Sequence, residues 1–163
     1  MAWKELIPEQ EITVKVTKAT VDFAKRFGSY LGTNDESSYT DNKGRTKTKV
    51  DRAKLTTTQL RKFFGEVKRQ QLKGYDETDF VLLKPKLAYA VGRAKDEHAK
   101  INDFYFVIAK AIDCVKASTK EESEKRFKNF IKIFEAIVAY HKAAEESKLN
   151  DDATEENKLN DNE

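Results

Sequence analysis

Apolar positions in this chain recur mostly at three- and four-residue spacing, the period of helices that bury one face. Phe23, Ala24, Phe27, Tyr30 and Leu31 follow it between about Thr17 and Leu31, and Gly32 with Thr33 and Asn34 ends the run. Leu60, Phe63, Phe64 and Val67 predict a second helix over 57–73. Thr56 or Thr57 caps it, with Gln59 placed to reach back, and Gly74 closes it. A third starts at Lys84-Pro85, because proline has no N–H to lose in a first turn. Its apolar stripe is Leu87, Ala90, Val91 and Ala94, while Lys86, Tyr89 and Arg93 fall together on the opposite face. Gly92 costs this helix about 1 kcal/mol relative to alanine, so something is expected to approach its backbone closely.

The fourth segment, 96–117, is the most apolar. Ile101, Phe104, Tyr105, Ile108, Ile112 and Val115 line one side and Phe106 and Val107 the other, so it is either central or covered by a partner. Thr119 with Glu122 opens the last helix as a capping box. Phe127, Phe130, Ile131, Phe134, Ile137, Val138 and His141 carry its apolar face, with Lys125, Lys128 and Lys132 opposite.

Three stretches depart from the pattern. Near the start, Trp3, Leu6 and Ile7 are candidates to dock on the body, and Pro8 bends or starts an element. Ile12, Val14 and Val16 alternate as a strand would, but nothing nearby offers a partner strand. Residues 33–54 are polar, with Tyr39 and Val50 almost their only apolar anchors, and read as a flexible basic loop. Lys43 to Lys54 is rich in cations, so this loop is either solvated or orders on phosphates. Residues 148–163 read as a disordered acidic tail. The expected fold is therefore all-α: one domain over residues 1–147, a bundle of about five helices.

Charge sharpens this picture. Residues 145–163 hold eight acids against two lysines, leaving a net +9 on the rest of a chain whose total is +3. A basic body suits nucleic acid or an acidic partner. The single cysteine, Cys114, excludes an internal disulfide and any multi-cysteine metal site. With no long apolar run and no signal-peptide core, neither a membrane nor export is expected, and the location expected is cytoplasmic.

No catalytic constellation is visible. His98 and His141 lie in different helices without a His or Cys companion at ligand spacing. His141 continues an apolar face and reads as packed, as does Cys114. Gly-rich phosphate loops, nucleophile elbows and paired carboxylates are missing. No cofactor, metal or enzymatic activity is expected. Arg61, Lys62, Arg69, Lys86 and Arg93 stand apart from ordinary surface lysines. They come from consecutive segments and fall on faces left free by core packing. Either nucleic acid or protein could occupy those faces.

Two motifs turn this toward a family. Leu55-Thr-Thr-Thr-Gln-Leu-Arg-Lys-Phe-Phe64, followed by Leu82-Leu-Lys-Pro-Lys-Leu-Ala-Tyr-Ala-Val-Gly-Arg93, resembles the small subunit of type III-A CRISPR–Csm effector complexes over roughly residues 55–140. The resemblance implies a non-catalytic subunit whose copies stack on one another, on the large subunit and on backbone subunits, along a guide–target duplex. Base pairing reads the sequence there, and the protein holds the guide and target RNA backbone. Target RNA cleavage is attributed to the backbone subunits, DNA cleavage and cyclic oligoadenylate synthesis to the large subunit. On the matching motifs, Arg61, Lys62, Lys84, Lys86 and Arg93 are the RNA-contacting candidates, with Lys54 and Arg69 beside them. The other readings are a helical scaffold without RNA contact and, less supported, a small RNA-processing enzyme. The length of the 33–54 loop and the acidic tail are not matched to the family pattern.

Overall fold

The computed structural model describes residues 3–160, with side chains described for residues 3–147. Helices dominate: α1 (Glu9–Thr13), α2 (Lys18–Leu31), α3 (Thr57–Lys73), α4 (Glu77–Val81), α5 (Leu83–Ala94), α6 (Ile101–Asp113) and α7 (Lys120–Asn160). Between α2 and α3 stands a two-stranded antiparallel hairpin, β1 (Asp35–Thr40) and β2 (Thr46–Arg52).

The hairpin corrects the expectation of an all-α fold with a flexible loop at 33–54. Its turn is fixed by Asp41, whose carboxylate accepts the backbone N–H groups of Lys43 and Arg45, each at 2.9 Å. Gly44 supplies the left-handed conformation the reversal needs, at φ +73°. Thr40, Thr46, Thr48 and Val50 are good strand formers. Neither face is buried, so the hydrophobic alternation that announces a strand is missing.

The helix signals fare better. Thr56 and Gln59 form both halves of the capping box, at 3.2 and 2.9 Å. Thr119 Oγ1 accepts the Glu122 N–H, and Gly74, at φ +95°, closes α3 with its N–H on the Gln70 carbonyl. Pro85 sits in the first turn of α5, which begins two residues earlier than expected, after the single turn of α4 that Asp76 caps. The helix expected over 96–117 is shorter, because Lys95 is left-handed at φ 53° and residues up to Lys100 form a turn. The backbone of α7 continues as helix to Asn160. The side chains of the expected tail, 148–163, lie outside the described residues.

α6 proves central: Phe104, Val107, Ile108, Ala111 and Ile112 are all buried, and Phe106 is half-buried against the same core. Ring contacts run through the middle of the molecule. Phe63 meets Phe104 edge-on at 5.7 Å and Phe134 at 5.5 Å, while Phe80 meets Phe130 edge-on at 5.1 Å. Trp3 does dock, on Phe23, Phe27 and Tyr30. The 12–16 alternation is not a strand; Ile12 is buried in α1 and its carbonyl accepts from the Asn129 amide at 2.9 Å.

α2 packs closely on α7. A methyl group at Gly28 would stand 2.6 Å from the Ile137 carbonyl oxygen, and one at Gly32 would stand 2.6 Å from that of His141. At Gly92, by contrast, a methyl group would have nothing within 4 Å, so the close approach expected there is absent from the described chain.

These two environments give opposite expectations for one substitution. Gly28→Ala should lower stability by about 1–3 kcal/mol through overpacking against backbone, despite alanine's better helix propensity. Gly92→Ala should raise it by about 1 kcal/mol. Urea melts of both variants check this; a Gly28→Ala protein as stable as the parent would mean the two helices stand further apart.

Candidate nucleic-acid interface

α3 and α5 run beside each other over α6 and leave an open groove of ≈ 540 Å³ between them. Its floor is apolar: Leu55, Phe63, Leu87, Ile101 and Phe104 are buried core residues whose edges reach the groove. Its rim is polar, with Thr58, Gln59, Lys62 and Glu66 from α3 and Lys86, Tyr89 and Arg93 from α5, three cations against one acid. Each turn of α5 thus gives the groove one polar residue, at 86, 89 and 93, as that spacing dictates.

The apolar stripe of α5 and its cationic face are not on opposite sides. Leu87, Ala90 and Ala94 line the same groove as Lys86, Tyr89 and Arg93. Of that stripe only Leu87 is fully buried; Ala90, Val91 and Ala94 remain half-covered. The helix therefore anchors by Leu87 and, one turn earlier, the buried Leu83, and presents a small-residue surface beside its cations.

Glu66 organises the charges. Its carboxylate accepts from Arg69 at 2.7 Å and 3.1 Å, from Lys86 at 2.8 Å and from the Gln70 amide at 3.2 Å. Hydrogen bonds from Arg69, then from Lys86, hold this carboxyl well below the usual carboxylate range. One acid thus ties α5 to α3 across the groove and restrains one of its cations.

The predicted cations divide into three sets. Lys62, Lys86 and Arg93 meet at the groove, with Arg93 5.9 Å from the centre of the Tyr89 ring. Arg61 is exposed on α3 outside the groove lining, and neither it nor Lys62 has an ion-pair partner among the described residues. Arg69, Lys84 and Lys54 are engaged elsewhere. Arg69 pairs with Glu66 and lies 4.0 Å from Asp79, Lys84 meets Asp113 of α6 at 2.7 Å, and Lys54 meets Glu145 of α7 at 3.1 Å. The apolar floor and the contributions of Thr58 and Gln59 escaped the sequence reading. Leu55 and Ile101 come from outside the two helices, and only the tertiary fold brings them under the groove.

Lys100 was also missed, and it is a different kind of cation. It is fully buried, donates to the Tyr30 carbonyl at 2.8 Å and to Asp35 at 2.7 Å, and lies 3.9 Å from the Tyr30 ring centre. It is structural. His141 is likewise buried, its Nε2 2.6 Å from the Leu55 carbonyl oxygen, which agrees with the packed role expected of it. His98 is exposed beside Glu97. Cys114 is half-buried with a free thiol.

The Glu66 bridge has a pH signature. Its folded pKa lies below its ordinary value of 4.5, so its stabilisation is fully present above that pH and is lost as pH falls through the lower folded value. All three groups are partly exposed, which limits the effect to about 0.5–1 kcal/mol. Glu66→Gln should be less stable than the parent at neutral pH by that amount, with the gap closing in acid. Urea melts at stepped pH test it; a gap that persists unchanged into strong acid would exclude the charge.

Among the described residues, no helix is long and apolar enough to cross a membrane, and no group of three or more His, Cys, Asp and Glu residues is placed to hold a metal ion. A family model described as Csm2 Type III-A matches residues 34–147. No curated protein and no solved structure matches the chain.

Proposed function

The chain belongs to the Csm2 Type III-A family, the structural small subunit of type III-A Csm complexes, and from that premise we propose that its α3–α5 groove holds an RNA backbone without reading sequence. The observation that carries this reading is the convergence of Lys62, Lys86, Arg93 and Tyr89 from two helices on one open surface. Phosphates need point charges that can reach them; Lys62 and Arg93 are free to do so, and Lys86 can turn from Glu66, which keeps Arg69. Tyr89 is 69% exposed, enough to give a sugar or base a stacking platform. Arg61 extends the same surface along α3, while Arg69, Lys84 and Lys54 stand as reserve contacts that must first leave their carboxylates.

In this reading the subunit is non-catalytic and cytoplasmic. It lies along the guide–target duplex among further copies of itself, the large subunit and the backbone subunits. Base pairing supplies specificity, and this chain supplies a surface that any sequence can follow.

A second reading is favoured by the groove's floor. Leu55, Phe63, Leu87, Ile101 and Phe104 present carbon where a phosphate binder needs none. An apolar side chain of a neighbouring subunit, flanked by acids, would use both floor and rim. The chain would then be a scaffold with no RNA contact.

The two readings separate on salt and assembly. Replacing Lys62, Lys86 and Arg93 together by alanine should weaken binding to all RNA sequences alike. The log–log salt slope should fall by about 0.7 for each phosphate of a single strand that is no longer neutralised. Melting should stay close to the parent, since surface changes are usually within about 0.5 kcal/mol. Leu87→Ala should instead cost about 2–5 kcal/mol of stability. RNA titrations across a salt series, beside melts, read both. An unchanged affinity and slope with failed incorporation into the complex would make the groove a protein seat.

A further inference from the structure

We propose that the β1–β2 hairpin is a second RNA-binding element, an arm whose one face stacks an unpaired base on Tyr39 and holds the flanking phosphates with Lys47 and Lys49. This rests on the reading of the chain as an RNA-binding subunit, but not on the groove.

The hairpin is an arm by construction. Its strands are exposed almost throughout, and they pair chiefly with each other. Among the described residues it is held at its base, where Asp35 meets the buried Lys100, Asn34 accepts the Lys54 N–H at 2.9 Å and the Leu55 N–H reaches the Leu31 carbonyl at 2.8 Å. Six residues of strand carry the tip about 20 Å out. An isolated two-stranded hairpin is marginal in water because it buries little. Nothing among the described residues covers it, so what it contributes must lie in what it touches.

Register decides which side chains stand together. Tyr39 is opposite Lys47 and Ser37 is opposite Lys49, and these four share one face. The other face carries Glu36, Ser38, Thr40, Thr46, Thr48 and Val50. The pairing passes over Asp51 at the irregularity near the base. Tyr39 is 49% exposed, flanked by two primary amines and a hydroxyl. Asp41, the carboxylate nearest this face at the tip, is occupied by the turn, Arg45 and Lys47. Lys49 has no ion-pair partner among the described residues.

That face is chemically matched to single-stranded RNA. A ring open on one side accepts any base, and amines on the neighbouring strand reach the phosphates that flank it. Neither face of the ribbon presents the contiguous apolar surface that a protein core would require. The separation of arm from groove gives one subunit two grips on the same polymer, which raises avidity without sequence preference.

The test uses the full chain and the assembled complex, with a labelled oligouridylate and a salt series. Tyr39→Ala should weaken binding roughly 5- to 150-fold with little change in salt slope, and Tyr39→Phe should restore it. Lys49→Ala should lower the slope by about 0.7, and adding Lys47→Ala should bring the fall to at most about 1.4, because Lys47 must first leave Asp41. Melting curves should be unchanged in each, and ultraviolet cross-linking should map to Tyr39. If these variants bind as the parent does while the groove triple variant is weakened, the arm proposal fails and the groove reading stands. If the arm variants weaken and the groove variant does not, the groove reading fails and the arm stands. Arm variants that keep RNA affinity but no longer assemble would assign the arm to an acidic protein neighbour and overturn the proposal.

Discussion

Everything in this molecule depends on how closely α2 can lie on α7. Two glycines one turn apart, Gly28 and Gly32, remove the side chains that would hold the helices off, and the backbone of α7 at Ile137 and His141 occupies that space. Close approach lets Phe23, Phe27 and Leu31 reach the core fully and leaves dispersion contacts on both sides. α7 thereby becomes a spine. Its Asn129 amide holds the α1 carbonyls, its His141 ring holds the Leu55 carbonyl, and its Glu145 takes Lys54 and Thr57. The first two satisfy carbonyls at chain reversals that would otherwise be orphaned, and the third ties side chains at the entry to α3.

The groove follows from this arrangement. With α2 seated on one side of α7, α3 approaches the spine through Phe63 and Phe64 on Phe134 and through the Lys68–Glu135 pair. α5 is anchored differently, on α6 by Leu83 and Leu87. The two helices therefore reach the core by separate routes and are joined across the groove mainly by Glu66. A surface with an apolar floor stays open because its walls are fixed from behind rather than by each other. Buried aromatic packing under Phe63 and Phe104 keeps that floor from collapsing into the gap.

Legibility in the sequence tracked burial. Helices with a buried face announced themselves, and the caps at Thr56, Gly74 and Thr119 marked their ends correctly. The charge cluster at 86, 89 and 93 was visible because residues one turn apart must share a face, whereas the adjacent Arg61 and Lys62 part, Lys62 alone lining the groove. What failed was whatever is defined by something not periodic. The hairpin has no buried face and so no alternation, and its real signal was the Asp41-Asn-Lys-Gly44 turn between β-branched residues. Lys100 drew no reading because a lysine is rarely buried; its burial is made possible by Asp35, the Tyr30 ring and the Tyr30 carbonyl from distant segments. Gly92 was read as a close contact when the close contacts were at Gly28 and Gly32. Composition cannot tell a glycine that admits a neighbour from one that merely loosens a helix.

The charges then sort by what already holds them. A cation paired to a carboxylate can serve a phosphate only by giving up that partner, so its net gain on binding is small. Lys84 on Asp113 and Lys54 on Glu145 are in that position, and both pairs also brace elements of the fold. Arg61, Lys62 and Arg93 hold no carboxylate among the described residues, and each can bind an anion without undoing anything. Lys86 lies between these cases, since Glu66 keeps Arg69 as a partner if Lys86 turns away. The structural cations Lys54 and Lys84 are thus both paired and half-buried, while the available ones are exposed and hold no carboxylate among the described residues. That distinction turns a generally basic body into a surface with a direction, running from Arg61 and Lys62 across the groove to Arg93.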